Sequence, residues 1–222
     1  MSLLSLQSVC RPFPPIILYY NPCNNLSTLT LGSYTGGVTV VNDTTLNSNT
    51  FKVLSAVGAY GYYNTGSSLL GKTILIDVNT TALCDIFFGC NSSGAGFMLR
   101  IDSRPEHISY ISTIVSTNGW NSYGLAFTFS PALTTATETR ILANTWYKFV
   151  ISISSTGEIR WIARQRGATN NINGKAYYSY SDTSRVSASN THIGIVGDGA
   201  GPTFYTLFDN ITIVNGATLF NV

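Results

Sequence analysis

Short runs in which apolar and polar side chains alternate recur along most of this chain. From residue 26 onwards they follow one another about every eight to twelve residues, and clusters of Gly, Asn and Ser separate them. In the run 96–102, Phe97, Leu99 and Ile101 share one face of a strand, and Arg100 lies on the other. No helical period is visible. The pattern predicts an all-β protein folded as a two-sheet antiparallel β-sandwich.

The first 25 residues differ from the rest of the chain. They hold four of the seven prolines and an apolar burst, Ile16-Ile17-Leu18. Because prolines favour extended, unpaired backbone, we interpret residues 1–25 as an extended N-terminal arm and residues 26–222 as the sandwich. An apolar arm needs a surface to lie on, and two alternatives stay open. It packs on its own sandwich, or it docks on a neighbouring subunit.

Three segments carry a resemblance to a known family. A hairpin at residues 144–161 has Trp146 near its start, a Phe-Asp-Asn strand lies at residues 208–213, and the run 96–102 looks like a central strand. Over roughly residues 50–215 these features resemble the laminin-G-like and concanavalin A-like lectin/glucanase sandwiches. The resemblance implies a jelly roll with a concave sheet that often binds carbohydrate. By itself it implies no activity.

Composition excludes several classes of ligand. Charged residues make up 10% of the chain, against about 25% in ordinary soluble domains, and the net charge is only +2. No Lys/Arg cluster is present, so we expect no nucleic acid as a partner. Two histidines without a Cys-x-x-Cys pair predict no zinc site, and no dense Asp/Asn cluster supports calcium. We therefore expect no metal or cofactor, and the lack of a long apolar span predicts no membrane insertion.

The four cysteines allow one firm prediction. Cys84 and Cys90 belong to one extended run, and six extended residues span roughly 20 Å, so these two are not expected to bridge each other. Cys10 and Cys23 flank the Pro-containing segment. For that pair, a disulfide and two reduced thiols both stay open.

The carboxylates form no catalytic pattern. Glucanases of the resembling family carry Glu-x-Asp-x-x-Glu on one strand, whereas Glu106, Glu138 and Glu158 lie in three separate segments here. A lyase would need a Tyr or Lys base beside an Arg or Asn that neutralises a uronate. Residues of these types are Arg100, Lys148, Arg164, Tyr178 and Tyr180. We expect a protein that is not an enzyme, with a polysaccharide lyase or glycosidase as the alternative.

A glycine-containing loop is the first candidate for a sugar site. Such sites combine an aromatic surface with amides, carboxylates or arginine, and the loop offers Asn118, Trp120, Asn121 and Tyr123. Trp120 is either a stacking platform for a sugar ring or a lid that covers one end of the core.

Three further segments contain polar candidate residues. Arg164 shares a strand face with Arg160, and this basic stripe either meets an acidic partner or faces solvent. Asp198 lies in a Gly-rich turn, where it either offers a carboxylate to a ligand or only belongs to the turn. Asp209 and Asn210 belong to a strand, in which one of them is expected to face inward and to be hydrogen-bonded as part of the fold.

Low charge, richness in Ser, Thr and Asn, the apolar arm and the lack of a convincing signal peptide are typical of virion components. We interpret the chain as a non-enzymatic virion structural or recognition module, such as a capsid decoration, fibre or appendage protein. Its lectin-like jelly roll would bind host-surface carbohydrate, and its arm would join other virion subunits in an oligomer or larger assembly. The alternative is a free, secreted extracellular lectin.

Overall fold

The structure is a computed structural model. It describes residues 16–32, 34–56, 58–104, 110–116, 120, 141–169, 172–176, 189–197 and 201–218. Within these ranges the chain forms fourteen β-strands and a 3-10 turn, Leu26–Thr28. No helix in the described part is long and apolar enough to cross a membrane.

The strands form two antiparallel sheets. The larger sheet contains β1 Ile17–Asn21, β3 Val38–Asp43, β4 Ser48–Leu54, β6 Lys72–Thr80, β10 Tyr147–Ile153, β11 Ile159–Gln165, β12 Ile172–Ala176 and β14 Tyr205–Asn215. Its order is β12-β11-β10-β6-β14-β4-β3, and β1 pairs with β14 beyond the end of β4. The smaller sheet contains β2 Thr30–Leu31, β5 Tyr60–Asn64, β7 Leu83–Cys90, β8 Gly96–Asp102, β9 Tyr110–Ser116 and β13 His192–Gly197. Its order is β2-β5-β13-β7-β8-β9.

The main core lies between the two sheets, and one face of each sheet builds it. The larger sheet contributes side chains that include Ile74, Ile76, Phe149, Trp161 and Phe208. The smaller sheet contributes side chains that include Ile86, Phe88, Phe97, Leu99, Ile101 and Ile193. These are the positions that period-two alternation assigns to one face. The predicted two-sheet antiparallel sandwich is therefore confirmed.

Two strands are missing from the sequence-based prediction. One is β5, in which Gly61 interrupts a run of tyrosines and so weakens the strand pattern. Gly61 fits there because a Cβ atom would lie 2.9 Å from the side chain of Leu29. The other is β1, which lies in the segment interpreted as the arm. The sequence pattern predicts a strand over residues 27–31, but residues 27–28 belong to the 3-10 turn and only residues 30–31 form β2.

The described part of the arm packs on its own sandwich. β1 pairs antiparallel with β14, and Tyr19 stacks on Tyr63 with 4.6 Å between the ring centroids. Asn21 and Cys23 are buried, and Cys23 belongs to the main core. Residues 1–15 lie outside the described residues.

Cys84 and Cys90 are buried thiols of the same strand, and they are not bonded to each other, as predicted. Cys23 is also a buried thiol, whereas Cys10 lies outside the described ranges. Burial raises the pKa of Cys23 and of Cys90 well above the usual thiol value. Both thiols therefore stay protonated at neutral pH and react poorly in the folded protein.

We expect Tyr19→Ala to lower the free energy of unfolding by about 2 kcal/mol, because the stack on Tyr63 and the packing of β1 are lost. Leu18→Ala is the matched control on the same strand, since Leu18 is 46% exposed. It should change the free energy of unfolding by less than about 0.5 kcal/mol. Urea unfolding of both variants measures the difference, and equal values would show that β1 is not part of the cooperative unit.

Candidate ligand-binding cleft

A cleft with a volume of about 850 Å³ opens on the outer face of the larger sheet. Strands β14, β6, β10 and β11 lie side by side beneath it. Because Ile74 and Ile76 point into the core, the residues that alternate with them, Leu75 and Asp77, point into the cleft. The floor is therefore made of side chains whose positions are fixed by sheet hydrogen bonds.

A row of charged side chains crosses this floor. Asp209 lies opposite Asp77 in the register of β14 and β6. Asp77 lies opposite Lys148, which in turn lies opposite Arg164. The Lys148 Nζ atom forms an ion pair with Asp77 Oδ1 at 2.7 Å. The row thus runs from two carboxylates on β14 and β6 to two cations on β10 and β11.

A second, mainly apolar row lies beside the charged one. Tyr20 of β1 lies opposite Thr212, and Thr212 lies opposite Leu75. Leu75 lies opposite Val150, which lies opposite Ile162. Leu75, Val150 and Ile162 belong to a small hydrophobic cluster separate from the main core. Along its length, the cleft therefore has one apolar side and one polar side.

A bulge in β14 shapes one end of the cleft. The register with β6 shifts between Asp209 and Thr212, and Asn210 has a φ of 51°, a left-handed conformation that Asn tolerates better than most residues. Asn210 Nδ2 donates to Asp77 Oδ2 at 3.0 Å and to Asp209 Oδ2 at 3.1 Å. The Ser48 hydroxyl donates to Asp209 Oδ2 at 2.9 Å. These bonds hold the two carboxylates side by side.

The bulge also corrects one expectation. Strict alternation predicts that either Asp209 or Asn210 faces the core. The extra residue instead brings Phe208 and Ile211 into the core, and both polar residues line the cleft. Asp209 is only 2% exposed, and it is hydrogen-bonded as expected.

Burial raises the pKa of Asp209. The hydroxyl of Ser48 and the backbone N–H of Asn210 oppose this shift, because they donate to the charged form, and the carboxylate of Asp77 adds to it. The folded protein therefore binds a proton at Asp209 more tightly than the unfolded chain does.

The described residues that line the cleft include three aromatic ones, Tyr20, Trp146 and Tyr147. Tyr20 is 54% exposed, and its hydroxyl donates to Asn210 Oδ1 at 3.1 Å, which fixes the ring at the β14 end. Trp146 lines the cleft near β10 and is 5% exposed. Its indole N–H is buried without a hydrogen-bond partner in the described part of the chain. Tyr147 is 3% exposed and belongs to the main core, so among the described aromatic residues of the cleft only Tyr20 presents a substantial surface to a ligand.

The structure separates the residues that the sequence suggested for ligand binding. Arg164 lies on the floor of the cleft, whereas Trp120 lies on the opposite side of the sandwich, over the outer face of the smaller sheet. The remaining candidates, which fall outside the described ranges, are Asn118, Asn121, Tyr123 and Asp198.

Trp120 has the geometry of a lid. It is 6% exposed, and its ring stacks on Tyr62 with 4.4 Å between the centroids. Its indole N–H donates to the carbonyl oxygen of Ser92 at 3.3 Å. Gly194 makes room for the ring, since a Cβ atom at that position would clash with it. This arrangement favours the alternative in which Trp120 covers the sheet over the alternative of an exposed platform.

Sequence reasoning does not identify Tyr20, Asp77 or Asn210 as site residues. Tyr20 lies in the segment interpreted as the arm, and Asn210 lies 133 residues from Asp77. The alternation of β6 is the one available signal, because it places Asp77 outward between two core residues. It does not show which polar residues of other strands lie beside it.

No protein-family model and no curated protein matches this sequence. Among solved structures, the chain is similar to a Bacillus subtilis protein of unknown function with a galectin-like fold. The TM-score is 0.53 at 13% identity, over 90% of this chain and 96% of that one.

Two other solved structures are also similar. The receptor-binding domain of botulinum neurotoxin type G gives a TM-score of 0.50 at 13% identity, over 86% of this chain. The match spans 43% of that domain, which is less than half of its length. An endo-β-1,4-glucuronan lyase from the fungus Trichoderma reesei gives a TM-score of 0.48 at 10% identity, over 93% of this chain and 98% of that one. At these identities the likeness concerns the fold alone.

We expect Trp120→Ala to lower the free energy of unfolding by about 3 kcal/mol, because the substitution removes a large buried ring. Ligand binding in the cleft should not change, since the cleft lies on the other side of the sandwich. Thermal unfolding and a binding assay on the same sample test both statements. Unchanged stability with weaker binding would restore the role of Trp120 as a platform.

The stability contribution of Asp209 should depend on pH. Because its pKa is raised on folding, the contribution is most favourable below the pKa of the unfolded chain, at about pH 4, and is lost as pH rises through the higher folded value. We therefore expect wild type to lose stability relative to Asp209→Asn as the pH rises from about 4 towards neutral. Urea unfolding of both proteins across this range measures the difference. A difference that is constant, or that grows in favour of wild type, contradicts the assignment.

Proposed function

We propose that this protein is a non-catalytic, lectin-like carbohydrate-binding module, and that its glycan site is the cleft on the larger sheet. One observation carries the proposal, namely the apolar row that starts at Tyr20 and runs beside the charged row of Asp77, Lys148 and Arg164. A sugar ring presents apolar C–H faces and polar hydroxyl edges. A cleft with one apolar side and one polar side is complementary to both.

The chemistry of each part fits this role. Asp77 and Asn210 offer oxygen acceptors for hydroxyl groups at the β14 end, and Lys148 and Arg164 offer donors at the other. The exposed ring of Tyr20 supplies a stacking surface, as aromatic residues do in sugar sites. The likeness to a galectin-like fold and to a receptor-binding domain supports a recognition module on the level of the fold.

A glycosidase also needs two neighbouring carboxyl groups, but the surroundings of Asp77 and Asp209 favour ligand binding over catalysis. A general acid must present its proton to the scissile bond. Asp209 is 2% exposed, and its oxygens accept bonds from Ser48 and Asn210. Asp77 is held in an ion pair by Lys148. We therefore assign Asp209 to the support of Asn210, and Asp77 to that support and to hydroxyl recognition.

We expect Tyr20→Ala to weaken the binding of oligosaccharides by about 1 to 2 kcal/mol, because it removes the exposed ring at the end of the apolar row. Tyr34→Ala is the matched control, since Tyr34 is an exposed tyrosine outside the cleft. A glycan array with neutral and acidic oligosaccharides, followed by calorimetry on the ligands found, measures the effect. Equal losses in both variants, or no binding by wild type, contradict the proposal.

We also propose that the arm joins this module to other subunits of a larger assembly, with a virion as the setting and a free extracellular lectin as the alternative. The supporting observation is an exposed apolar segment at the start of β1. Ile16 is 65% exposed, Ile17 is 61% exposed and Leu18 is 46% exposed. A contiguous group of apolar side chains that is exposed to water marks an interaction site.

Native mass spectrometry tests the assembly role. We expect wild type to form oligomers at micromolar concentration, and the double variant Ile17→Ser, Leu18→Ser to be a folded monomer, because apolar contacts between subunits are lost. Leu142→Ser is the control, since Leu142 is an exposed apolar residue elsewhere on the surface. A monomeric wild type would remove the basis of this role.

A further inference from the structure

The cleft has a charge gradient along its length. Asp209 and Asp77 lie at the β14 and β6 end, and Lys148 and Arg164 follow on β10 and β11. Arg166, in the turn after β11, extends the positive end, because its backbone N–H bonds to the carbonyl of Trp146 and its side chain lines the cleft. Asp77 and Lys148 form an ion pair in the middle of the row, so the acidic end is Asp209 and the basic end is Arg164 with Arg166.

The gradient determines where an anionic group of a ligand can lie. Next to Asp77 and Asp209, a ligand carboxylate or sulfate would meet like charges in a partly buried site, and this is unfavourable. Next to Arg164 and Arg166 it would accept charge-assisted hydrogen bonds from two guanidinium groups. Neutral hydroxyl groups suit the acidic end, because they donate to carboxylates.

The dimensions of the cleft require more than one sugar. Neighbouring strands lie about 4.8 Å apart, so the charged row from β14 to β11 spans roughly 14 Å. The apolar row adds Tyr20 on β1 and is one strand longer. A single pyranose ring covers only one end of such a site, whereas a short oligosaccharide reaches both.

We propose, on the basis of the carbohydrate-binding function, that the cleft takes an acidic oligosaccharide in one fixed direction. Its carboxylate- or sulfate-bearing sugar lies over Arg164 and Arg166, beyond the ion pair of Asp77 and Lys148. A neutral, hydroxyl-rich sugar lies over Asp77, Asp209 and Asn210 and stacks on Tyr20. The ligand class is therefore an oligosaccharide with an anionic unit, and the anionic unit determines its orientation.

Matched pairs of oligosaccharides test this assignment by isothermal titration calorimetry. Short oligomers that contain galacturonic, glucuronic or mannuronic acid are each compared with their methyl esters, which keep the sugar and lose the charge. We expect at least one acidic oligomer to bind about tenfold more tightly than its ester at low salt, which corresponds to about 1.4 kcal/mol. The preference should shrink as sodium chloride is raised to 0.5 M, since salt screens charge pairs.

Arg166→Gln locates the anionic unit. It should weaken binding of the acidic oligomer about tenfold and leave binding of the ester unchanged. Arg160→Gln is the matched control, because Arg160 points from the outer face of the same strand as Arg164, is paired with Glu158 and lies outside the cleft. It should leave the affinity for both ligands unchanged.

The possible failures are distinguishable. If acidic and neutral oligomers bind equally well, the inference is overturned and carbohydrate binding stands. If Arg160→Gln weakens acidic binding as much as Arg166→Gln, the attraction is a general effect of charge, and the orientation is overturned. If no oligosaccharide binds in calorimetry or on the array, the proposed function and this inference fall together.

Discussion

The pairing of β14 with β6 is the interaction on which both the core and the cleft depend. β14 bonds to β6 along most of its length, and its other edge is shared between β4 and β1. β14 therefore joins β4 and β3, at one end of the larger sheet, to β6, β10, β11 and β12 at the other. Its inward side chains, Phe208, Ile211 and Ile213, are buried in the main core. A change in the register of this strand would displace the core and the floor of the cleft together.

The bulge at Asp209 and Asn210 allows β14 to contribute side chains both to the main core and to the floor of the cleft. Without an extra residue, alternation would place Asn210 beside Phe208 in the core, and an amide there would need a buried partner. With it, Ile211 faces inward, and two consecutive polar residues face the cleft. The left-handed backbone of Asn210 is stabilised by bonds from its amide to both carboxylates. The same bulge thus produces both the left-handed backbone at Asn210 and the geometry of this end of the cleft.

Alternation alone predicts strands such as β11, in which buried and partly exposed residues alternate, and with them the sandwich and much of its core. It misses β5, where glycine and tyrosine blur the pattern, and β1, where neighbouring prolines suggest an unpaired arm. The cleft is harder to predict, because it arises from rows across β14, β6, β10 and β11. Among the described residues, Arg164 is the one candidate for ligand binding that lies in it, together with Lys148 from the lyase alternative. The residues that lie beside Arg164 in the cleft can be identified only when the strand order and register are known.

β1 links the two roles proposed for this chain. Ile17 and Leu18 are exposed on it, and Tyr20, two residues further on, begins the apolar row and bonds to Asn210. A partner that holds the start of β1 therefore also restrains the strand that carries Tyr20.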